Sequence, residues 1–316
     1  MTSRTLLTSA ALLALAASGI AAHAQEGLTP TQILVTLEGK APVLPAAANL
    51  RLELNSKAGG AITSIEKIQP NGTQIAILID DGLRFSIGSE ITNLRKFVAN
   101  LPEGTEVAVG FMQNGSVRMT HPFTTDHALA ADDFHLPIGM PGIAGSPYFA
   151  LSQFVTHWPE AQVPVAKARF VLMVTNGVDL YNGSTSVLNQ DSPYVQRAIE
   201  DAQRAGVAVS SIYYGDAGIR GRSANFSGQS YLTQLAQSTG GYTYYQGMGN
   251  PVSLIPFLEQ FQHDISETYV ATFMASAGSG NGRPQLVHLK ISSSPKLKAR
   301  YPDMVRVGNA EGAPGA

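Results

Sequence analysis

Apolar runs of strand length alternate with segments of helical periodicity from Thr73 to about His263. Runs rich in Ile, Val, Leu and Ala that are bounded by Gly, Asn or Asp are typical of strands buried on both faces of a sheet. The predicted strands are Gln74 to Asp80, Glu106 to Met112, Phe170 to Thr175, Val207 to Tyr214 and Tyr242 to Tyr245. The predicted helices are Gly88 to Leu101, Pro147 to Trp158, Ser192 to Ala205, Gln229 to Ser238 and Val252 to Asp264. This alternation predicts an α/β fold with a doubly wound, mostly parallel sheet.

Two local signals fix the ends of particular elements. Asp191-Ser192-Pro193 places a capping residue and an early-turn proline before VQRAIEDAQRA, and Gly206 follows the last turn of that predicted helix. Asn114-Gly115 joins VAVGFM to VRMTHPF, and Asn-Gly between apolar runs is a strong hairpin signal. The sheet is therefore expected to gain one antiparallel edge strand.

Short β-patterned segments flank the alternating region on both sides. The N-terminal segments are ILVTLEG, NLRLELN and ITSIEKI, and the C-terminal ones are Tyr269 to Met274, Leu286 to Ser292 and Val305 to Val307. We therefore predict an N-terminal β-unit at 25–70, a central α/β domain at 71–265, a C-terminal β-segment at 266–308 and a disordered tail at 309–316. The sequence leaves open whether the strands at the two ends pair.

The first 24 residues have the three parts of a secretory signal peptide. Arg4 supplies a charged region, the stretch from Leu6 to Ile20 is apolar, and Ala22-His23-Ala24 fits a cleavage site. We expect cleavage near Ala24 and a periplasmic or secreted protein. The apolar region is short for a membrane span, and no later segment reaches about 18 uninterrupted apolar residues.

Net charge and the absence of cysteine argue against several classes of function. The 316-residue chain has 21 Lys and Arg against 23 Asp and Glu, and loss of Arg4 with the signal leaves 20 minus 23, or −3. A nucleic-acid-binding protein would be expected to carry a basic footprint, so this class is disfavoured. The chain contains no cysteine, which excludes disulfides, thiolate metal sites and cysteine nucleophiles.

An acidic pair, Asp80-Asp81, ends the apolar run that begins at Ile75. In open α/β sheets, ligands bind in the crevice outside the carboxyl ends of the strands. Because Asp80 ends a strand expected to be buried on both faces of a parallel sheet, the loop after it is the first candidate for a functional site.

The order of several motifs resembles the von Willebrand factor type A (VWA) fold, and in particular the VWFA-related domain of exported bacterial proteins. The segments that carry the resemblance are LIDDGLRFSIG, LPEGTEVAVGFMQNG, FTTDHALAA, GSPYFALSQFV, TNGVDLYNG, SPYVQRAIEDAQRAGVAVSSIYY, YLTQLAQSTGGYTYY and PVSLIPFLEQF. The resemblance covers most of the chain after the signal. It implies a Rossmann-like sheet and a role in protein–protein interaction or adhesion.

The same resemblance implies a metal-ion-dependent adhesion site made from Asp-x-Ser-x-Ser, a separate Thr, and the Asp of Thr-Asp-Gly. Asp80 matches the first position, but Gly82 and Arg84 stand where two serines are expected. Ser146 is the nearest candidate for the separate Thr, and Asn176 replaces the Asp after Thr175. Mg²⁺ demands oxygen ligands in near-octahedral geometry, and Gly82 and Arg84 supply none. We therefore expect a degenerate site without its usual metal, and no other cofactor.

The same edge supplies the candidates for contact with a protein partner. Arg84 is expected either to pair with Asp80 or Asp81 in place of a metal ion, or to lie on the exposed first turn of a helix. Asp179 follows a later predicted strand, and a predicted glycine-rich loop from Gly215 to Gly228 carries Arg220 and Arg222. That loop is interpreted either as a binding rim of mixed charge or as a solvated connection. The complete set of candidates is Asp80, Asp81, Arg84, Ser146, Asn176, Asp179, Arg220 and Arg222.

A dense group of His and Asp residues raises the possibility of an enzyme. Its members are His121, Asp126, His127, Asp132, Asp133 and His135. Their spacing does not match a H-E-x-x-H helix, and the chain has neither a G-x-S-x-G nucleophile elbow nor a phosphate-binding G-x-x-x-x-G-K-[ST] loop. The leading hypothesis is therefore a non-enzymatic module that binds a protein. The alternatives are a metal-dependent hydrolase and a purely structural envelope protein.

Overall fold

The computed structural model describes residues 28–39, 44, 46–83, 87–138, 145–159, 168–179, 181, 191–215, 221–247, 249–276, 286–293, 296 and 298–308. The predicted signal peptide, the predicted tail, Arg84 and Arg220 lie outside these residues, as does the side chain of Arg222. In the part of the chain that is described, no helix combines the length and apolar character needed to cross a membrane.

Fourteen strands and six α-helices are present in the described residues. The strands are β1 (Leu28–Leu37), β2 (Leu50–Leu54), β3 (Lys57–Ala58), β4 (Ile62–Lys67), β5 (Thr73–Asp80), β6 (Glu106–Gln113), β7 (Ser116–Met119), β8 (Ala168–Thr175), β9 (Val207–Tyr213), β10 (Thr243–Tyr244), β11 (Thr268–Ser276), β12 (Leu286–Ser293), β13 (Ala299–Arg300) and β14 (Met304–Arg306). The helices are α1 (Gly88–Ala99), α2 (His127–Asp132), α3 (Pro147–Thr156), α4 (Pro193–Ala205), α5 (Gly221–Thr239) and α6 (Ile255–Ser266).

The central sheet has six strands in the order β10-β9-β8-β5-β6-β7. All pairs are parallel except β6 with β7, which confirms the predicted doubly wound sheet with one antiparallel edge strand. β5 lies between β6 and β8, with Ile77 opposite both Val109 and Leu172, and all eight of its residues are buried. The uninterrupted apolar run follows from this burial, because side chains on both faces meet a layer of helices.

The local signals also act as predicted. In the hairpin between β6 and β7, Asn114 has φ 51° and Gly115 has φ 77°, the left-handed conformations that a tight Asn-Gly turn requires. The Ser192 hydroxyl caps α4 by accepting hydrogen bonds from the amides of Tyr194 and Val195. Gly206 ends α4 with φ 65°.

The prediction of a loop from Gly215 to Gly228 is wrong in its second half, because α5 begins at Gly221 rather than near Gln229. Glycine disfavours a helix interior, so local propensity argued for a loop there. The tertiary fold explains why residue 228 is a glycine, since a Cβ at this position would lie 2.1 Å from the carbonyl oxygen of Asn176. Close packing of α5 on the end of β8 thus requires glycine inside the helix.

The N- and C-terminal strands build two four-stranded sheets together, ordered β13-β1-β11-β4 and β14-β12-β2-β3. β1 pairs with β11 over nine positions, with Ile33 opposite Ala271, and β2 pairs with β12 over five. Apolar residues from both sheets, among them Val35, Leu52 and Phe273, form one core between them. The two ends of the chain therefore form a single β-sandwich.

This sandwich packs against the amino edge of the central sheet. The Arg300 guanidinium bonds the Asp264 carboxylate at the end of α6 at 2.8 Å, and the Tyr244 hydroxyl donates to the same carboxylate at 2.6 Å. At the end of α5, the Asp303 amide donates to the Ser238 carbonyl at 3.2 Å. The carboxyl edge, where β5 and β8 end, lies on the opposite side of the domain.

Candidate functional site

Asp80 ends β5 at the middle of the carboxyl edge and has both carboxylate oxygens engaged. Its Oδ1 accepts a hydrogen bond from the Gly82 amide at 2.9 Å, and its Oδ2 accepts one from the Thr175 hydroxyl at 2.6 Å. Thr175 ends the neighbouring strand β8, and its Oγ1 in turn accepts from the Gly177 amide at 3.1 Å. The Asp80 carboxylate is thus held by donors from its own loop and from the next strand.

Burial dominates the electrostatics of Asp80, which is 5% exposed. Desolvation of the charged form raises the pKa of its carboxyl from 3.8 to about 6, and the negative charge of Asp81 adds to the rise. The hydrogen bonds from Thr175 and Gly82 favour the charged form and offset part of this effect. Asp80 therefore changes its protonation state within two pH units of neutrality.

Asp81 is also buried, but its carboxylate makes different contacts. Its Oδ2 accepts from the Gln113 side-chain amide at 2.7 Å, at the end of β6, and its Oδ1 accepts from the Ile138 amide at 2.8 Å. The second bond holds the segment that follows α2 against the sheet edge. Neither Gln113 nor Ile138 was predicted; the position of Gln113 at the end of a strand next to β5 was the signal that could have found it.

Asn176 and Asp179 follow β8 and are both buried. The Asn176 Oδ1 accepts from the Val178 amide at 2.8 Å, within its own turn. Asp179 accepts from the Ser192 hydroxyl at 2.6 Å and from the Tyr181 amide at 3.1 Å. Because Ser192 also caps α4, Asp179 connects the turn after β8 to the start of that helix.

Ser146 caps α3, and its Oγ accepts from the Tyr148 amide at 3.3 Å. The Tyr148 hydroxyl then donates to the Gly177 carbonyl at 2.8 Å from beneath the edge. Burial raises the pKa of this hydroxyl well above its ordinary value, and the negative charges of Asp179 and Asp80 add to the rise. Tyr148 was not identified from the sequence, because a buried tyrosine in an apolar helix has no distinctive local pattern.

The structure therefore places Asp80, Asp81, Ser146, Asn176 and Asp179 at one edge of the sheet. Gly82 lies there too, and contributes only its backbone amide to Asp80. The predicted contacts of Arg84, Arg220 and the Arg222 side chain concern parts of the chain outside the described residues.

The His and Asp residues from His121 to His135 serve separate structural contacts. His121 bonds Asp133 at 2.8 Å, whereas the ring of His127 bonds the Thr105 carbonyl at 2.8 Å. Asp126 caps α2, and His135 stacks on Phe111 with ring centroids 3.7 Å apart. Among the described residues, no group of three or more His, Asp or Glu side chains is arranged to hold a metal ion.

Exposed apolar side chains are concentrated at the carboxyl edge. In the described part of the chain ten large apolar side chains are exposed, and the three that lie elsewhere are Leu28, Leu129 and Tyr242. The Ile138 amide bonds Asp81, the Tyr181 amide bonds Asp179, and the Leu254 amide at the start of α6 bonds Glu90 in the first turn of α1. Leu136 packs beside Gly88 at the start of α1, Tyr245 directly follows β10, and Phe226 lies two residues before Gly228, which packs on Asn176. The seven residues, here called the apolar rim, are Leu136, Ile138, Tyr181, Phe226, Tyr245, Val252 and Ile255.

Comparison with protein-family models and with curated proteins gives no match. Among solved structures, an aerotolerance-related membrane protein from Bacteroides fragilis, carrying multiple mutations to serines, matches with a TM-score of 0.42 and 13% identity over 61% of this chain and 98% of that one. A von Willebrand factor type A structure from Catenulispora acidiphila matches at 0.43 and 12%, over 90% and 74%. The manganese-loaded TRAP protein of Plasmodium vivax matches at 0.43 and 12%, over 72% and 95%.

One of these structures is a von Willebrand factor type A structure, the family that the sequence motifs resemble. At these identities and scores the matches describe likeness only, and the fold class rests on the observed strand order of the central sheet.

Proposed function

We propose that this protein is an exported, non-enzymatic module that binds a protein partner through the carboxyl edge of its central sheet, without the usual metal ion. The observation that carries the proposal is the apolar rim, which holds seven of the ten exposed large apolar side chains in the described residues. Exposed apolar side chains grouped at one edge, with polar groups beside them, are characteristic of protein interaction sites.

The architecture supports the choice of this edge. The β-sandwich covers the amino edge, as the contacts of Arg300 and Asp303 show. The rim residues lie on loops and helix starts over a six-stranded scaffold, and such positions commonly carry binding functions. Val252 at 87% and Ile138 at 79% are the most exposed of them, and their transfer from water on binding would be favourable.

The donor set at the edge supports binding without a hard divalent cation. Mg²⁺ requires several oxygen ligands in near-octahedral geometry, and position 82 provides no side-chain oxygen. The Asn176 Oδ1 is engaged by a backbone amide, and the Ser146 Oγ is engaged in capping α3. Asp80 is the single carboxylate among the five positions that would form the usual site, so the charge that holds such an ion is reduced.

The contacts of the polar groups support a non-enzymatic role. The three edge carboxylates accept hydrogen bonds from Thr175, Gln113 and Ser192, together with backbone amides. Catalysis by a nucleophile needs a base within hydrogen-bond reach of it, oriented by a third group. The edge hydroxyls instead bond carboxylates and backbone groups that hold the loops in place.

Affinity capture with matched variants tests the proposed surface. The full-length protein, purified after export, is used to capture partners from an envelope extract of its own cells, with and without EDTA. The double substitution Ile138→Ser and Val252→Ser is expected to abolish enrichment of the partner, whereas Leu129→Ser, an exposed apolar residue outside the rim, leaves it unchanged. Equal capture by the rim variant and the wild type would contradict the proposed surface, and loss of capture in EDTA would contradict metal independence.

A gain-of-function variant tests whether residues 82, 84 and 176 account for the expected lack of metal binding. Gly82→Ser, Arg84→Ser and Asn176→Asp together restore the expected ligand types. The triple variant is expected to show a melting temperature that rises with millimolar Mg²⁺, while the wild type does not respond. A folded triple variant with no response to Mg²⁺ would show that these three positions do not explain the difference.

A further inference from the structure

An open groove of about 490 Å³ lies on the helical face between α3, α4 and the hairpin that joins β6 to β7. Its volume falls in the range of about 300–1,000 Å³ that is common for ligand sites. The residues that line it include Asn114, Phe149, Gln153, His157, Arg197 and Asp201. None of these was a candidate from the sequence, and none belongs to the apolar rim.

Asp201 and Arg197 give the groove an ordered cationic group. The buried Asp201 carboxylate accepts from the Ser152 hydroxyl at 2.6 Å, from Arg197 Nε at 2.9 Å and from Arg204 at 3.3 Å. Its charge is therefore fully engaged within the protein. Arg197 is held through Nε alone, with its side chain 70% exposed, and its two terminal nitrogens make no hydrogen bond within the described residues. A guanidinium fixed in this way presents a planar pair of donors that suits a carboxylate.

The end of the groove beside the first turn of α3 is aromatic. Phe149 lines it, and its ring centroid lies 4.7 Å from that of Tyr194 and 5.3 Å from that of Tyr181. Phe149 and Tyr194 are half-buried and Tyr181 is 57% exposed. An apolar side chain can therefore pack against this group while a charged group reaches Arg197.

The opposite end of the groove, where α3 ends, offers an acceptor for a peptide amide. The His157 ring bonds the Gln153 carbonyl through Nδ1 at 2.9 Å, and since a carbonyl only accepts, Nδ1 carries the proton. In the neutral ring, Nε2 is then an acceptor. The groove thus combines a donor fork, an apolar surface and a hydrogen-bond acceptor.

We propose that this groove binds an acidic peptide segment, in which a Glu or Asp carboxylate pairs with Arg197 and a neighbouring apolar side chain packs on Phe149. The two residues assigned to contact the ligand, Arg197 and Phe149, lie outside the apolar rim, and Tyr181 is the one rim residue that borders the groove, through its ring contact with Phe149. The terminal nitrogens of Arg197 recognise the carboxylate, and the aromatic group distinguishes a peptide from a free anion.

Amide NMR titration of the full chain with N-acetyl-Phe-Glu-amide tests the proposal. We expect saturable shifts around Arg197, and at least tenfold weaker binding of the Phe-Gln peptide and of inorganic phosphate. Arg197→Gln is expected to weaken binding of the Phe-Glu peptide at least tenfold. Arg204→Gln is the matched control, because Arg204 bonds the same Asp201 carboxylate but does not line the groove, and it should retain wild-type affinity.

Three results would overturn the assignment. Equal affinity for the Glu and Gln peptides would remove the role of the carboxylate, and phosphate that binds as tightly as the peptide would leave only a simple anion site. Equal loss of binding in the Arg197 and Arg204 variants would show that the arginines support the fold rather than contact the ligand. Because the rim residues are unchanged in both variants, these outcomes are distinguishable from failure of the proposed carboxyl-edge function.

Discussion

Asp80→Asn is expected to make the protein more stable at neutral pH and less sensitive to pH. The wild-type carboxyl has a folded-state pKa of about 6, raised from 3.8 chiefly by burial. The stability that the protonated group contributes is therefore fully present below about pH 3.8 and is lost as the pH rises through about 6. An asparagine at this position carries no charge at any pH.

The two pKa values fix the size of the effect. A difference of about two units corresponds to about 3 kcal/mol of unfolding free energy at pH 7, of which about 2 kcal/mol is lost between pH 4 and pH 7. Both contacts can be kept, because an asparagine Oδ1 accepts from the Gly82 amide while its amide donates to the Thr175 hydroxyl, which reverses the direction of the wild-type bond as protonation of Asp80 would. The variant is thus expected to gain about 2 kcal/mol over the wild type as the pH rises from 4 to 7.

Urea unfolding at pH 4, 5, 6 and 7 measures this difference, and a ¹³C titration of the Asp80 carboxyl gives its midpoint directly. Asp132→Asn, which removes an exposed carboxylate, serves as the control and should follow the wild-type profile. Parallel profiles for the wild type and Asp80→Asn, or a carboxyl midpoint near 4, would refute the reasoning from burial.

Three further predictions concern packing, capping and export. Gly228→Ala should destabilise the fold by about 1–3 kcal/mol in denaturant titrations, because the new Cβ meets the Asn176 carbonyl, whereas Gly72→Ala has open space and should be nearly neutral. Ser192→Ala should cost about 1–2 kcal/mol, since it removes the cap of α4 and a donor to a buried carboxylate; an unchanged urea midpoint would contradict this role. N-terminal sequencing of protein from the periplasmic or culture fraction should begin near Gln25, and an intact Met1 there would contradict cleavage.

Local signals were sufficient to predict much of the central domain. The all-apolar run of β5 reflects burial on both faces, and the Asn-Gly turn and the capping Ser192 specify backbone geometry within a few residues. The position of Asp80 at the carboxyl edge follows from the same pattern, since it is the last residue of a parallel strand.

Features that depend on distant contacts were not predictable in this way. The glycine at position 228 inside α5 is required by close packing on Asn176, which local propensity does not report. The bonds of Asp81 to Gln113 and Ile138 join residues 32 and 57 positions apart, and the Tyr148 bond to Gly177 spans 29. The pairing of the terminal strands is more remote still, since Thr36 and Thr268 are hydrogen-bonded across 232 residues.

That last pairing sets an order of events as the chain is made. β1 and β4 both pair with β11, so neither has its partner until nearly the whole of the central domain has been synthesised. The central sheet closes through shorter connections and can form first, whereas closing a loop of this length is slow. A chain truncated after residue 265 would therefore keep a protected central sheet but expose residues 28–67 to protease. The β-sandwich can therefore be complete only after β11 to β14 have been synthesised.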